Sequence, residues 1–213
     1  FRQLYLSFCS KPTGDAMAIK ETLYPVLLAV PQSAQKLPPP ERVRFLSRHA
    51  RQALAASAQK SRVVLGEMKK DPQGRPLPFE GIHWSVTHKT EYVGGVVSPA
   101  EIGIDLEKVL PRNTRGLFAK AAADGEWEIA GGQSWDNFHR VWTAKEAVLK
   151  AVGTGLKDLS SCRVVEVIDS RHLVIACHDR LWPVQHYYFD GHVASIVKGD
   201  RAVEWTLNPP SLL

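Results

Sequence analysis

A chain of 213 residues with a net charge of +5 can bury a sound core without metal or disulfide staples. Cys9, Cys162 and Cys177 are odd in number, show no C-x-x-C spacing and lie near no histidine pattern, so neither a disulfide framework nor a zinc site is indicated, which suits a reducing cytosol. The apolar stretch Leu23–Val30 contains Pro25, is too short to cross a bilayer and lacks the flanks of a signal peptide, so a soluble protein is expected.

Charge is unevenly placed. Residues 1–100 hold 14 Lys and Arg against 7 Asp and Glu, and residues 101–213 hold 13 against 15. A basic half suits phosphates or an acidic partner, whereas an acidic half with clustered carboxylates suits a metal. In chain order, Leu4–Phe8 alternates weakly like a strand, and Met17–Leu28 suggests a short helix broken near Pro25. Three prolines close Leu37–Pro40, and Glu41 opens an amphipathic helix to about Gln59. Val43, Leu46, Ala50, Ala53 and Leu54 form its apolar side, and Arg44, Arg48 and Arg51 form a stripe on the other. That stripe reads either as a solvated face or as a phosphate cradle. Asp71–Pro78 is turn chemistry that fixes Arg75 on a loop. Ile82–Val86 and Tyr92–Val97 read as strands joined through Thr87–Glu91, with Thr87 and His88 where the first one ends. A lone histidine there is more often structural than catalytic.

Ile102, Ile104 and Leu106 alternate with Gly103, Asp105 and Glu107, the pattern of a half-buried strand. Asp105 and Glu107 then point to one side with Cα atoms roughly 7 Å apart, which is either a solvated edge or a pair able to converge on a cation. Arg112–Ala130 suggests a loop and short helix bearing Glu126 and Trp127, ended by Gly131–Gly132. Val141–Gly153 winds into a helix with Val141, Ala144, Val148, Ala151 and Val152 on its apolar face. Thr143, Glu146 and Lys150 share the opposite face, where Glu146 and Lys150 read either as a surface pair or as a third oxygen ligand beside a cation. Lys145 falls at the margin of the buried side, where a lysine must snorkel or serve something. Cys162–Ile168, His172–Cys177, Trp182–Phe189 and His192–Val197 look like an antiparallel meander, and LNPPSLL like a tail.

The segments GIDLEK (Gly103–Lys108) and WTAKEAVLKAVG (Trp142–Gly153) resemble the two signature motifs of the Sfp-type 4′-phosphopantetheinyl transferases. The likeness extends to the Gly74-Arg75-Pro76 turn, the S-x-T-H run Ser85–His88 and the carboxylate segment around Glu126. It implies an α+β fold of two similar, pseudo-duplicated halves, 1–100 and 101–213. Each is a small antiparallel sheet packed against a longer helix, with the active site in the cleft between them. It implies Mg-dependent transfer of the 4′-phosphopantetheine arm of coenzyme A to a serine of an apo acyl or peptidyl carrier protein, releasing adenosine 3′,5′-bisphosphate. A cytoplasmic monomer is expected, with neither nucleic acid nor membrane as partner.

Carried across residue by residue, Asp105, Glu107 and Glu146 match magnesium ligands and Lys150 matches the lysine on the transferred phosphate. Thr87 and His88 match residues near the nucleotide phosphates, with threonine where serine is commoner. Arg75 stands where lysine is usual. Arg48 lies in the helix whose basic residues meet the 3′-phosphate end, and Lys145 belongs to the second motif. Glu126, or a metal-held water acting through Glu107, would take the serine proton. The alternatives are a non-catalytic coenzyme A-binding module of the same fold and, on charge alone, a nucleic-acid-binding protein that no aromatic-basic motif supports.

Overall fold

The computed structural model describes residues 21–113 and 116–208. Two short strands, β1 (Thr22–Leu23) and β2 (Val26–Ala29), precede the single-turn α1 (Gln32–Gln35) and the long α2 (Pro39–Lys60). Next come β3 (His83–His88), β4 (Tyr92–Ser98) and β5 (Ile104–Lys108), then three helices, α3 (Leu117–Ala121), α4 (Asp124–Ile129) and α5 (Trp135–Val152). A 3₁₀ turn at Leu156–Ser161 leads into β6 (Cys162–Val167), β7 (His172–Cys177), β8 (Arg180–Phe189) and β9 (His192–Val197), and the chain closes with β10 (Ala202–Val203) and β11 (Thr206–Asn208).

The strands form a mixed sheet ordered β11-β2-β4-β3, an antiparallel sheet ordered β5-β9-β8-β7-β6 and a short parallel ladder of β1 with β10. Helix α2 packs on the first sheet, and α5 packs across β5 and β9 of the second. Prolines at Pro38–Pro40 preset the backbone for the first turn of α2, where a missing N–H costs nothing. Leu46, Ala50, Ala53 and Leu54 then face the sheet. Ser134 caps α5 by accepting the Asn137 N–H at 3.1 Å, and Gly153 ends it at φ 85°, a conformation open to glycine. A shared core of Leu23, Leu27, Tyr92, Val96, Ile104, Leu106 and Ile196 joins the two sheets. That core brings β5 against β3 and β4.

The mixed α+β architecture and the four-strand meander agree with the sequence pattern. The helix expected over Met17–Leu28 is replaced, within the described residues, by β1 and β2, whose Leu23, Val26 and Leu27 are buried; the strand expected at Leu4–Phe8 lies outside those residues. Val43, assigned to the buried side of α2, is 54% exposed. The start of the expected tail is strand β11, paired in parallel with β2. Contrary to the expectation for the cysteines, a disulfide joins Cys162 and Cys177, because antiparallel register sets them directly opposite with Cα atoms 4.4 Å apart. No helix among the described residues is long and apolar enough to cross a membrane.

Candidate active site

The period of two on β5 puts Asp105 and Glu107 on one face, as expected, but the strand is buried on both sides. The acidic face looks into the seam with β3 and α5, leaving Asp105 5% and Glu107 4% exposed. Asp105 Oδ1 accepts from Thr87 Oγ1 at 3.1 Å and from Lys150 Nζ at 2.7 Å. Lys150 also donates to the Ile104 carbonyl at 3.0 Å. The i,i+4 pairing of Glu146 with Lys150 is therefore not what the lysine makes; it reaches across to β5 instead. Asp105 Oδ2 is buried and has no hydrogen-bond partner.

Glu107 is held from two directions. Its Oε1 lies 2.6 Å from Lys89 Nζ in the turn after β3, and its Oε2 accepts from the Arg112 guanidinium at 2.7 Å. Burial, and next the charge of Asp105, push the Glu146 carboxyl up to about 7, against the pull of Lys150 and Lys89. Burial, followed by the Lys150 and Lys89 charges, holds the His88 imidazole below its usual range, so it is neutral near pH 7.

A cleft of about 250 Å³ opens beside these groups, lined by Lys70, Gln73, Arg75, Ser85, Glu146, Lys150 and Thr154 among others. The turn at Gly74 carries Arg75 over the end of α5, where any Cβ at Gly153 would collide with its guanidinium. Gly153 thus serves both the helix stop and the seat of Arg75.

Not every sequence candidate reaches this place. Arg48 lines a separate groove on the outer face of α2 with Arg44 and Arg51, and that groove shares no residue with the cleft. Glu126 and Lys145 pair with each other at 2.6 Å between α4 and α5. Lys145 is 2% exposed and also donates to the Ala121 carbonyl at 2.8 Å. Glu126 accepts the N–H groups of Ala123 and Val164 at 2.9 and 2.8 Å, closing the first turn of α4 and tying it to β6. Thr143, placed by the wheel beside Glu146, is fully buried. It sits in a polar chain beneath α5 in which His186 Nδ1, Ser195 Oγ and Thr143 Oγ1 follow at 2.8 and 2.6 Å and end on the His139 carbonyl. One direction of donation, from the imidazole N–H to the carbonyl, satisfies every hydroxyl. Sequence reasoning passed over Lys89, Arg112 and Lys70; Lys89 adjoins the S-x-T-H run, and lone cations on loops carry no period to find them by.

Among the described residues no group of three or more His, Cys, Asp or Glu is arranged to hold a metal ion. Two do fit a cation's needs: Asp105 offers a buried oxygen without a partner, and burial, then the Asp105 charge, push the carboxyl of Glu146 toward its neutral form. A cleft lined by Lys70, Arg75 and Lys150 suits a phosphate-bearing ligand.

Residues 101–198 match the model of the 4′-phosphopantetheinyl transferase superfamily. It is 31% identical over 114 residues to a protein of Haemophilus influenzae provisionally named as a 4′-phosphopantetheinyl transferase, covering 50% of this chain and 48% of the relative. A likewise provisionally named Synechocystis protein is 32% identical over 95 residues, covering 40% and 39%. The 4′-phosphopantetheinyl transferase gsp of Aneurinibacillus migulanus is 26% identical over 92 residues, covering 41% and 38%. Each match spans less than half the length of the curated relative.

Proposed function

We propose that this protein transfers the 4′-phosphopantetheine arm of coenzyme A to a serine of an apo acyl or peptidyl carrier protein, releasing adenosine 3′,5′-bisphosphate, as a magnesium-dependent cytoplasmic monomer built from two similar halves. The observation that carries the reading is the meeting of Lys150 with Asp105 at 2.7 Å beside a cleft that Arg75, Lys70 and Glu146 also line. Within the superfamily domain, this joins both motifs at one spot.

Lys150 and Arg75 bind the diphosphate and nucleotide end, with Thr87 and His88 behind them. Asp105 and Glu146 would hold the magnesium ion, which supplies charge neutralisation at the phosphoryl oxygens when bound. The serine oxygen attacks the β-phosphorus, the bond to the nucleotide α-phosphate breaks, and the hydroxyl proton ends on the released 5′-phosphate. Lys150, already fixed by the Ile104 carbonyl, stands ready where charge builds on the phosphate. Glu126 is engaged by Lys145 and two amides, which supports a part in the fold rather than in proton removal.

The test is to incubate the protein with coenzyme A, magnesium and apo carriers of several kinds and weigh the carriers. The expected result is a mass gain of one phosphopantetheine on at least one carrier. No gain on any of them rejects the proposal.

A further inference from the structure

Three carboxylates face this site, and the structure treats them differently. Asp105 keeps one buried oxygen without a partner. Glu146 is half-buried, lines the cleft and makes neither an ion pair nor a hydrogen bond with the described residues. Glu107 is fully committed, one oxygen to Lys89 at 2.6 Å and the other to Arg112 at 2.7 Å. Both contacts are short and charge-assisted, made to a carboxylate that is itself buried. They come from segments on either side of β5 in the chain: Lys89 from the turn joining β3 to β4, Arg112 from the stretch leaving β5.

Resting on the reading above, we infer that Glu107 is the anchor of Lys89 and Arg112, and that the divalent cation is held by two protein carboxylates, Asp105 and Glu146. The resemblance in sequence implies three. A cation that drew on Glu107 would have to compete with Lys89 or Arg112 for an oxygen of a buried carboxylate and sit beside a like charge. Lys89 also sits close enough for its charge to bear on His88 and Glu146, so the anchor holds a further cation near them. Magnesium commonly takes one or two carboxylates and fills its other places with water and substrate phosphate. A divalent cation and the diphosphate carry opposite charge, so each favours the other's binding.

The probe is Mn²⁺ binding to the whole protein, read by electron paramagnetic resonance with and without coenzyme A. Asp105→Asn and Glu146→Gln are each expected to weaken Mn²⁺ at least about tenfold, the scale of a lost ligand charge. The charge-balanced double variant Lys89→Met with Glu107→Gln keeps the net charge and is expected to hold Mn²⁺ within about fivefold of the parent while weakening coenzyme A at least about fivefold. A loss of Mn²⁺ affinity in the double variant equal to that of Asp105→Asn, or no Mn²⁺ binding by the parent, overturns the inference. Should the double variant fail to fold, a crystal structure of the parent with Mn²⁺ and coenzyme A decides: a Glu107 oxygen on the metal overturns it, and Glu107 still on Lys89 and Arg112 supports it. Carrier modification is read apart from this. Turnover by the parent with Glu107 on the metal rejects this inference alone, and an intact ranking of variants without turnover rejects the transferase reading alone.

Discussion

Lys145 and Lys150 leave the same helix, yet one ends in the protein and the other in the cleft. Lys145 is buried against Glu126, and burial pulls its pKa down while Glu126 raises it in return. Breaking such a pair by removing one partner strands a charge, so Lys145→Met is expected to cost about 3 kcal/mol of stability in urea titration. Adding Glu126→Gln should recover much of that loss, because the stranded carboxylate goes with it. Lys150→Met should instead lower turnover by about two orders of magnitude, and per folded molecule Lys145→Met should impair activity less. A second residue-scale expectation concerns His186. Burial, and then the Arg140 charge, lower its pKa to about 3. The unfolded chain then binds a proton between about pH 6.5 and 3 that the native state refuses, so stability falls as pH drops through that window. Between pH 7 and 5 the loss is about 2 kcal/mol from this group, measurable by denaturant titration at both pH values and flattened in His186→Gln. At this scale the sequence displayed the oddity of Lys145 on its wheel but not its partner, since Glu126 approaches from another helix. Thr143 looked polar and outward because periodicity records side-chain type, and only the fold supplies the Ser195 hydroxyl that lets it be buried.

Among elements, α5 and β5 define the site by how closely they approach. Gly103 lies where a Cβ would collide with the Ala147 carbonyl oxygen of α5. Gly103→Ala is therefore expected to push helix and strand apart, with a loss of about 3 kcal/mol or more. Thermal unfolding followed by circular dichroism, with coenzyme A affinity alongside, checks it: both should fall, because Lys150 can no longer reach Asp105. The strands from β6 to β9 were legible because each is long, rich in β-branched and aromatic residues and bounded by turn residues. Strands β1 and β2 were not, because two and four residues around Pro25 carry no readable period. The disulfide was hidden for a related reason. The spacing of Cys162 and Cys177 has no motif, and only the register of β6 on β7 sets them opposite each other.

For the molecule as a whole, the division of charge at residue 100 nearly coincides with the passage from one sheet to the other at β5. The exception is the last described stretch. Strands β10 and β11 return to β1 and β2, and β11 is an edge of the four-stranded sheet. Nothing in the run around Thr206–Asn208 announces this, since three residues form a strand only when an edge is waiting for them. Removing residues 202–213 is expected to lower the urea midpoint and loosen α2, while the sheet of β5 to β9 keeps its protection in amide hydrogen exchange.

The same return sets an order of events during synthesis. The second sheet is complete once β9 has emerged, but β2 waits for the final residues of its sheet with an open row of backbone donors and acceptors. Its sequence, Val26-Leu27-Leu28-Ala29, is uncharged and apolar, the kind of edge that recruits other chains. A ribosome stalled just short of β11 would thus release a molecule whose motifs and cleft residues are all present and whose most adhesive strand is uncovered, making self-association rather than lost chemistry its first failing.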